Sequence, residues 1–133
     1  MTDIEYINPP ELGKPSGFSH AVRAGAGSTV YLAGETALNE HGRIVGDTIV
    51  EQFEKALSNM LTSLRAAGGT PADLVSLTIY IVDMQEYKAN MRGIGSVWKK
   101  LIGTVYPATA GIGVARLWDI EARVEVQGIA HLQ

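Results

Sequence analysis

The stretch YPATAGIGVARLWDIEARVEVQGIAHL, residues 106–132, decides the fold of this chain. Residues 110–115 are small or β-branched, which is typical of a β-strand. Residues 123–130 alternate strictly, and a period of two predicts a second strand with one buried face. The buried face is predicted to carry Val124, Val126, Gly128 and Ala130, and the other Arg123, Glu125, Gln127 and Ile129. Residues 117–121 form the linker between the two strands.

Glu125 is a candidate functional residue because it is a carboxylate within an otherwise apolar strand. Two interpretations stay open at this point. A charged side chain on a strand usually faces solvent, and this is its most frequent role. The same carboxylate in a pocket would serve as an acid or a base. Periodicity alone does not choose between them.

Length and composition favour one domain, residues 1–133, with a single core, since 46% of the residues are hydrophobic. The absence of cysteine excludes disulfides, thiol nucleophiles and thiolate metal sites. A net charge of −3 without a lysine or arginine cluster argues against nucleic acid as a partner. No apolar run approaches the ~20 residues of a membrane helix, and the start of the chain is unlike a signal peptide. We therefore expect a cytoplasmic protein without a membrane partner.

Two helices are predicted. The first covers residues 48–67, where Thr48 and Glu51 have the spacing of a capping box and glycines 68 and 69 provide the stop. Its apolar stripe consists of Ile49, Phe53, Ala56, Leu57, Met60, Leu61 and Leu64. The second covers residues 85–102, with Tyr87, Met91, Ile94, Trp98 and Leu101 facing inward. This spacing predicts that Met91 and Trp98 belong to the core.

Four further segments complete the predicted fold. Residues 2–7 form a short edge strand and residues 11–19 a loop, while residues 21–24 and 29–33 form a hairpin about residues 25–28. Residues 74–82 are nearly all apolar or β-branched, which predicts a central strand buried on both faces. The resulting fold class is α+β, a mixed sheet of about six strands with two helices packed on one face.

The three histidines, His20, His41 and His131, lack the spacing of metal ligands, so we expect neither a metal nor another cofactor. His41 lies in a predicted turn and His131 near the end of the chain. Both are predicted to be solvated.

Three motifs occur in a specific order: Pro107-Ala108-Thr109, then Val114-Ala115-Arg116-Leu117, then Val124-Glu125-Val126-Gln127-Gly128-Ile129-Ala130. On these motifs the chain resembles the YjgF/Rid family of enamine/imine deaminases, whose signature runs from P-A-R to V-E-I-E-A-I-A. The resemblance extends over nearly the whole chain. It implies a chorismate-mutase-like fold, a homotrimer, and a small-molecule ligand bound in clefts between subunits without a cofactor.

The resemblance also implies roles for particular residues. A glutamate relays protons for the water that attacks the imine carbon, and Glu125 matches it. The arginine of P-A-R holds the substrate carboxylate, but Thr109 stands at that position, and the backbone N–H of Gly111 is the second expected contact. Three positions lining the cleft also differ from the family: Phe18 replaces a tyrosine, Ala33-Gly34-Glu35 replaces S-G-Q, and Met91 replaces an asparagine. Glu125, Thr109, Phe18 and the Gly111 amide are expected to converge at a subunit boundary.

Three functional hypotheses follow. The first is a Rid trimer that binds a small metabolite with altered or weakened deaminase activity, a hydrolysis of C=N bonds. The second is an active deaminase in which another group replaces the arginine. For that role Arg123, which shares a strand face with Glu125, is a better candidate than Arg116, unless a surface salt bridge engages it. The third, a ribonuclease or translation inhibitor, is disfavoured by the acidic charge balance.

Overall fold

The computed structural model describes residues 3–133, and its elements confirm the α+β class. The strands are β1 (Ile4–Ile7), β2 (Ala21–Ala24), β3 (Ser28–Tyr31), β4 (Leu74–Ile81), β5 (Ala108–Gly113) and β6 (Val124–Leu132). The α-helices are α1 (Ile49–Ala66), α2 (Met84–Ala89) and α3 (Met91–Leu101), and Pro71–Asp73 form a short 3₁₀ turn. No helix within residues 3–133 has the length and apolar character needed to span a membrane.

The strands divide between two sheets. The larger has the order β3-β6-β4-β5, in which β6 is antiparallel to both neighbours and β4 is parallel to β5. The smaller consists of β1 and β2. A backbone hydrogen bond from Ser19 to the Pro107 carbonyl joins the smaller sheet to the start of β5. The predicted count of six strands is therefore correct, but they do not form one continuous sheet.

The hairpin predicted at residues 21–33 is wrong, because β2 pairs with β1 and β3 pairs with β6. Residues 25–28 carry the chain from one sheet to the other. Gly27 makes this possible at φ 142°, where a Cβ would lie 2.1 Å from the Leu132 carbonyl oxygen. Residue 2 of the predicted first strand lies outside the described residues. The strand predicted at residues 110–115 starts and ends two residues earlier, as β5.

The core lies between the larger sheet and α1. The predicted capping box is present at Thr48 and Glu51, and all seven residues of the apolar stripe on α1 are buried. Val124, Val126 and Ala130 of β6 are also buried, as the alternation predicts. Gln52 fastens the linker before β6 to α1, since its amide oxygen accepts the Arg123 N–H at 2.8 Å.

The second helix differs from the prediction because it breaks at Asn90. The Asn90 side-chain amide donates to the Glu86 carbonyl at 2.7 Å, a local bond of the kind that competes with continuous helix. After the break, Ile94 and Val97 face the core, whereas Met91 is 49% exposed. Met91 is therefore not a core residue, and Trp98 is only half-buried.

The two faces of the larger sheet have different environments. Leu77, Ile79 and Ile81 of β4 are buried in the helix-side core. The opposite face, here called the open face, carries exposed or half-buried residues: Tyr31, Ser76, Thr78, Tyr80, Glu125, Gln127 and Ile129. The prediction that β4 is buried on both faces thus does not hold within one chain.

His131 is buried rather than solvated. It is 6% exposed, and its Nε2 lies 2.9 Å from the Ala26 carbonyl oxygen. The close approach of residues 26 and 27 to the end of β6 covers the ring, so His131 helps to hold the start of β3.

Candidate functional site

Glu125 lies on the open face of β6, opposite Tyr80 of β4, and is half-buried. Gly34 approaches its carboxylate so closely that a Cβ at position 34 would lie 2.0 Å from Glu125 Oε2. The neighbouring Glu35 pairs with Val126 through two backbone hydrogen bonds of 2.8 and 2.9 Å. This bridge brings Gly34, Glu35 and Glu125 together, and we call these three residues the acidic half-site.

Both carboxyl groups of the acidic half-site are electrostatically perturbed. Burial raises the pKa of Glu125. Burial also raises the pKa of Glu35, and the negative charge of Glu125 raises it further. A carboxyl group with a raised pKa exchanges protons closer to neutral pH, as a general acid or base requires.

Neither candidate arginine contacts the acidic half-site. Arg123 Nη1 lies 2.5 Å from Glu86 Oε2 of α2, so a salt bridge to another carboxylate engages it. Arg116 donates to the carbonyl oxygens of Leu117 and Trp118 in its own loop, at 3.0 and 3.1 Å. The salt-bridge alternative for Arg123 is the one that the structure shows.

Thr109 faces the helix side of the sheet. β5 places it opposite Leu77, a core residue of β4, and its hydroxyl donates to the Pro107 carbonyl at 2.8 Å. Thr109 lines a cavity of about 460 Å³ between α3 and the sheet. Other lining residues include Phe53, Leu77, Ile79, Met91 and Ile94. We call this cavity, with Thr109 and Met91 on its wall, the cavity half-site.

Phe18 and Gly111 lie near Thr109. Phe18 and Thr109 line one shallow depression at the edge of the sheet, and the Phe18 ring packs edge-on against His20 at 5.1 Å. Gly111 is opposite Ile79 in the parallel register, two residues beyond Thr109 on the same strand face. The loop before β2 is fastened here, because the Ser19 hydroxyl donates to the Tyr106 carbonyl at 2.7 Å.

The two half-sites lie on opposite faces of one sheet. Glu125 is opposite Tyr80 and Thr109 is opposite Leu77, and positions 77 and 80 of β4 are an odd number of residues apart. Thus Glu125 does not share a pocket with Thr109, Phe18 and Gly111 within one chain. Their convergence at a boundary between subunits stays a prediction.

Several residues that line the cavity were not predicted as site residues, among them Tyr87, Arg92 and Trp98. Tyr87 and Trp98 were assigned only to the core, and Arg92 was not considered. The apolar spacing of residues 87, 94 and 98 is a signal for a buried helix face, but it does not distinguish a filled core from a cavity. Within residues 3–133 no group of three His, Asp or Glu side chains is arranged to hold a metal ion.

The comparisons with known proteins agree with this architecture. A sequence model of the family described as Endoribonuclease L-PSP matches residues 11–132. The chain belongs to the YjgF/Rid family. A Rid-family protein of unknown function from Yersinia pestis, YyfB, superposes with a TM-score of 0.86 at 36% identity, covering 98% of this chain and 99% of that one.

Curated relatives of this Rid-family chain include imine deaminases. The 2-iminobutanoate/2-iminopropanoate deaminase of Dermatophagoides farinae is 30% identical over 135 residues, covering 100% of both chains. TdcF of E. coli, solved with bound serine, shares the fold with a TM-score of 0.69 at 24% identity, covering 91% of this chain and 92% of that one. The chorismate-mutase-like fold expected from the resemblance is thus confirmed.

Proposed function

We propose that this Rid-family protein is a homotrimer that binds a small metabolite in clefts between subunits, with altered or weakened enamine/imine deaminase activity. One observation carries the proposal: Glu125 and Thr109 lie on opposite faces of the same sheet. A site that uses both positions is incomplete in one chain. A second copy completes it by adding its acidic half-site to the cavity half-site of the first.

The open face supports the assembly. It carries half-buried polar residues and aromatic side chains, and Tyr31 is 78% exposed. The Tyr80 hydroxyl donates to the Gln127 side-chain oxygen at 3.0 Å across this face. Three copies in a closed ring would cover the open faces without leaving a free interface, as cyclic symmetry requires.

The proposed reaction is the hydrolysis of an imine to a carbonyl compound and ammonia. The Glu125 carboxylate accepts a proton from the attacking water as the water oxygen bonds to the imine carbon, and the carboxyl group donates that proton to the nitrogen to give a carbinolamine. The carboxylate then takes the proton of the carbinolamine hydroxyl and passes it to the amino nitrogen, so that the C=O bond forms, the C–N bond breaks and ammonia leaves. The raised pKa of Glu125 suits these transfers. Because Gly34 has no Cβ, the Glu125 carboxylate can occupy this position.

Weak activity on small imino acids follows from position 109. The Thr109 hydroxyl donates to the Pro107 carbonyl, so it is already engaged within the chain. A threonine also lacks the two parallel charged hydrogen bonds that an arginine makes to a carboxylate. Loss of such a charged pair costs about 2–5 kcal/mol of binding. We therefore expect this chain to have an altered form of the deaminase activity for which the Dermatophagoides farinae relative is named.

The ribonuclease activity in the family's description is not favoured here. Eleven basic residues face fourteen acidic ones, giving a net charge of −3. Binding to RNA depends on basic residues that displace counterions from phosphates. A deaminase-like site around Glu125 is the better hypothesis.

A mixed-trimer experiment tests the proposal. Glu125→Gln disables the acidic half-site and Thr109→Trp fills the cavity half-site, so each homotrimer should hydrolyse 2-iminobutanoate poorly. Trimers assembled from an equal mixture should regain activity at about a quarter of their sites, because random pairing joins one intact half of each kind that often. The control mixes Glu125→Gln with the double variant Glu125→Gln/Thr109→Trp, which contains no intact acidic half-site.

Two results would overturn the proposal. One is a sedimentation profile showing a monodisperse monomer at micromolar concentration. The other is a mixed trimer with no more activity than the control mixture, which would mean that the two half-sites never belong to one site.

A further inference from the structure

The cavity half-site has a single charged residue. Among the described residues that line the cavity, Arg92 alone carries a formal charge. It lies on the exposed side of α3, and its backbone carbonyl accepts the Ser96 hydroxyl at 3.1 Å. Its guanidinium forms no salt bridge within residues 3–133, unlike that of Arg123. A cation is therefore available beside an apolar cavity.

Tyr87 provides a second polar group on the cavity wall. The residue is 9% exposed, and its ring packs edge-on against Phe53 at 6.4 Å. Its hydroxyl makes no hydrogen bond within residues 3–133, and no fully buried side-chain polar atom there lacks a partner, so the hydroxyl is accessible to solvent. Tyr87 is one of the residues that line the cavity.

The protonation state of Tyr87 makes this hydroxyl a dependable donor. Burial raises the pKa of Tyr87 to about 12, so the phenol is neutral throughout the physiological range. A hydroxyl that no protein group accepts from is free to donate to a ligand, and a ligand that supplies an acceptor takes the place of water there. The Tyr87 hydroxyl therefore favours a ligand with an acceptor on this side of the cavity.

The walls between these groups are apolar and fixed. Trp98 stacks on Tyr106 with ring centroids 6.3 Å apart and an interplanar angle of 12°, and its indole N–H donates to the Val105 carbonyl at 3.0 Å. The volume of about 460 Å³ lies within the range of small-molecule sites. A ligand as small as serine would leave most of this space empty.

We propose that the cavity selects aryl-substituted carboxylates with a polar group on the ring. In this arrangement Arg92 holds the carboxylate at the exposed end, Ile94 and Trp98 contact the ring, and the Tyr87 hydroxyl bonds to the polar group at the buried end. The inference names the substrate class of the same site, and it rests on the proposed function only for the reaction. It assigns the carboxylate contact of this aryl substrate class to Arg92, while the clamp for small imino acids at position 109 remains absent.

Calorimetric titration of the full chain with stable carboxylates tests this without catalysis. The probes are 3-(4-hydroxyphenyl)propionate, 3-phenylpropionate, propionate and the uncharged alcohol 4-(3-hydroxypropyl)phenol. The first probe should bind at least about tenfold more tightly than the alcohol or propionate, since a charge-assisted pair and a buried ring each contribute this much. Equal affinity for the first probe and the alcohol would overturn the role of Arg92.

Two substitutions with matched controls separate the two polar groups. Arg92→Gln should weaken 3-(4-hydroxyphenyl)propionate about tenfold without affecting the alcohol, whereas Lys99→Gln, an equal charge change on the exposed side of α3, should change neither. Tyr87→Phe should remove the preference for the ring hydroxyl over 3-phenylpropionate, whereas Tyr6→Phe should preserve it. Unchanged affinities in both Arg92→Gln and Tyr87→Phe would contradict the inference.

Binding and hydrolysis separate this inference from the proposed function, because the probes need no proton transfer and Glu125→Gln should still bind them. In the unmodified chain, tight binding of 3-(4-hydroxyphenyl)propionate without hydrolysis of any imine would support the cavity specificity and refute the deaminase proposal. Hydrolysis of 2-iminobutanoate with no binding of the aryl probe would do the reverse.

Discussion

Gly34 and Glu125 form a steric pair: a Cβ at position 34 would lie 2.0 Å from Glu125 Oε2 and 3.0 Å from its carboxyl carbon. The clash falls on the free end of a flexible side chain, so the fold can accommodate it by moving the carboxylate. Gly34→Ala should therefore displace Glu125 while leaving the melting temperature nearly unchanged. We expect hydrolysis of 2-iminobutanoate to fall by about 10²-fold, as for a misplaced catalytic group.

Gly13→Ala is the matched control for Gly34→Ala. No atom lies within 4 Å of a Cβ built at position 13, and the residue lies in the exposed loop before β2. Alanine there should change neither stability nor turnover appreciably. Full activity in Gly34→Ala, measured beside this control, would show that the Glu125 carboxylate is not positioned by that contact.

Glu125→Gln should abolish proton transfer but preserve assembly. General acid–base catalysis contributes about 10²–10⁴-fold, and the rate of imine hydrolysis should fall by that factor. Assembly should survive because the salt bridge of Arg123 is to Glu86 rather than to Glu125. Sedimentation velocity measures the assembly of Glu125→Gln, and a turnover assay on the same preparation measures its rate of imine hydrolysis. Dissociated chains with unaltered ligand binding would instead assign Glu125 a structural role.

Glu35→Gln should stabilise the folded protein at neutral pH. The pKa of Glu35 is raised on folding, so the folded state binds more protons than the unfolded state between the ordinary and the raised pKa. Stability is therefore greatest below the ordinary pKa, about 4.3 for glutamate, and decreases as pH rises through that window. Urea unfolding at several pH values should show the gain of the variant at pH 7 and its loss at acid pH.

The control for this pH experiment is Glu11→Gln, which removes the same charge from an exposed loop residue. Its stability difference from the unmodified chain should be small, because Glu11 is exposed. If Glu35→Gln behaved like Glu11→Gln, burial beside Glu125 would not perturb the Glu35 carboxyl.

Thr109→Arg should increase hydrolysis of small imino acids. Position 109 faces a cavity of about 460 Å³, which has room for the longer side chain. A guanidinium there would supply the bidentate carboxylate contact, and we expect kcat/KM for 2-iminobutanoate to rise at least about tenfold. Thr109→Gln controls for side-chain size without charge. An equal response of the two variants would show that a carboxylate clamp at 109 is not what limits the reaction.

Arg123→Gln should affect stability rather than ligand binding. Arg123 and Glu86 form a partly exposed salt bridge, with side chains 43% and 26% exposed. Its loss should lower the free energy of unfolding by roughly 0.2–1 kcal/mol, as measured by urea titration. Lys100→Gln, which breaks the exposed Lys100–Glu54 pair, is the matched control. A large loss of ligand affinity in Arg123→Gln, but not in Lys100→Gln, would show that Arg123 takes part in ligand binding.

Local pattern was sufficient for the parts of the fold that depend on one segment. The capping box of Thr48 and Glu51 and the stripe from Ile49 to Leu64 predicted α1, because capping and helical periodicity involve residues only three or four apart. The alternation of β6 predicted its buried face for the same reason. Motif order over the whole chain identified the family, and the resemblance assigned Glu125, Gly34 and Glu35 to the cleft.

Only the tertiary structure decided how these segments combine. β3 pairs with β6 rather than with β2, a choice between strands far apart in sequence that turn residues could not predict. Tyr87 of α2, Arg92 of α3 and Thr109 of β5 line one cavity, although they lie on three separate elements. Alternation assigns sides within a strand, but the register between strands decides which residues share a face. That register places Glu125 and Thr109 on opposite faces of the sheet.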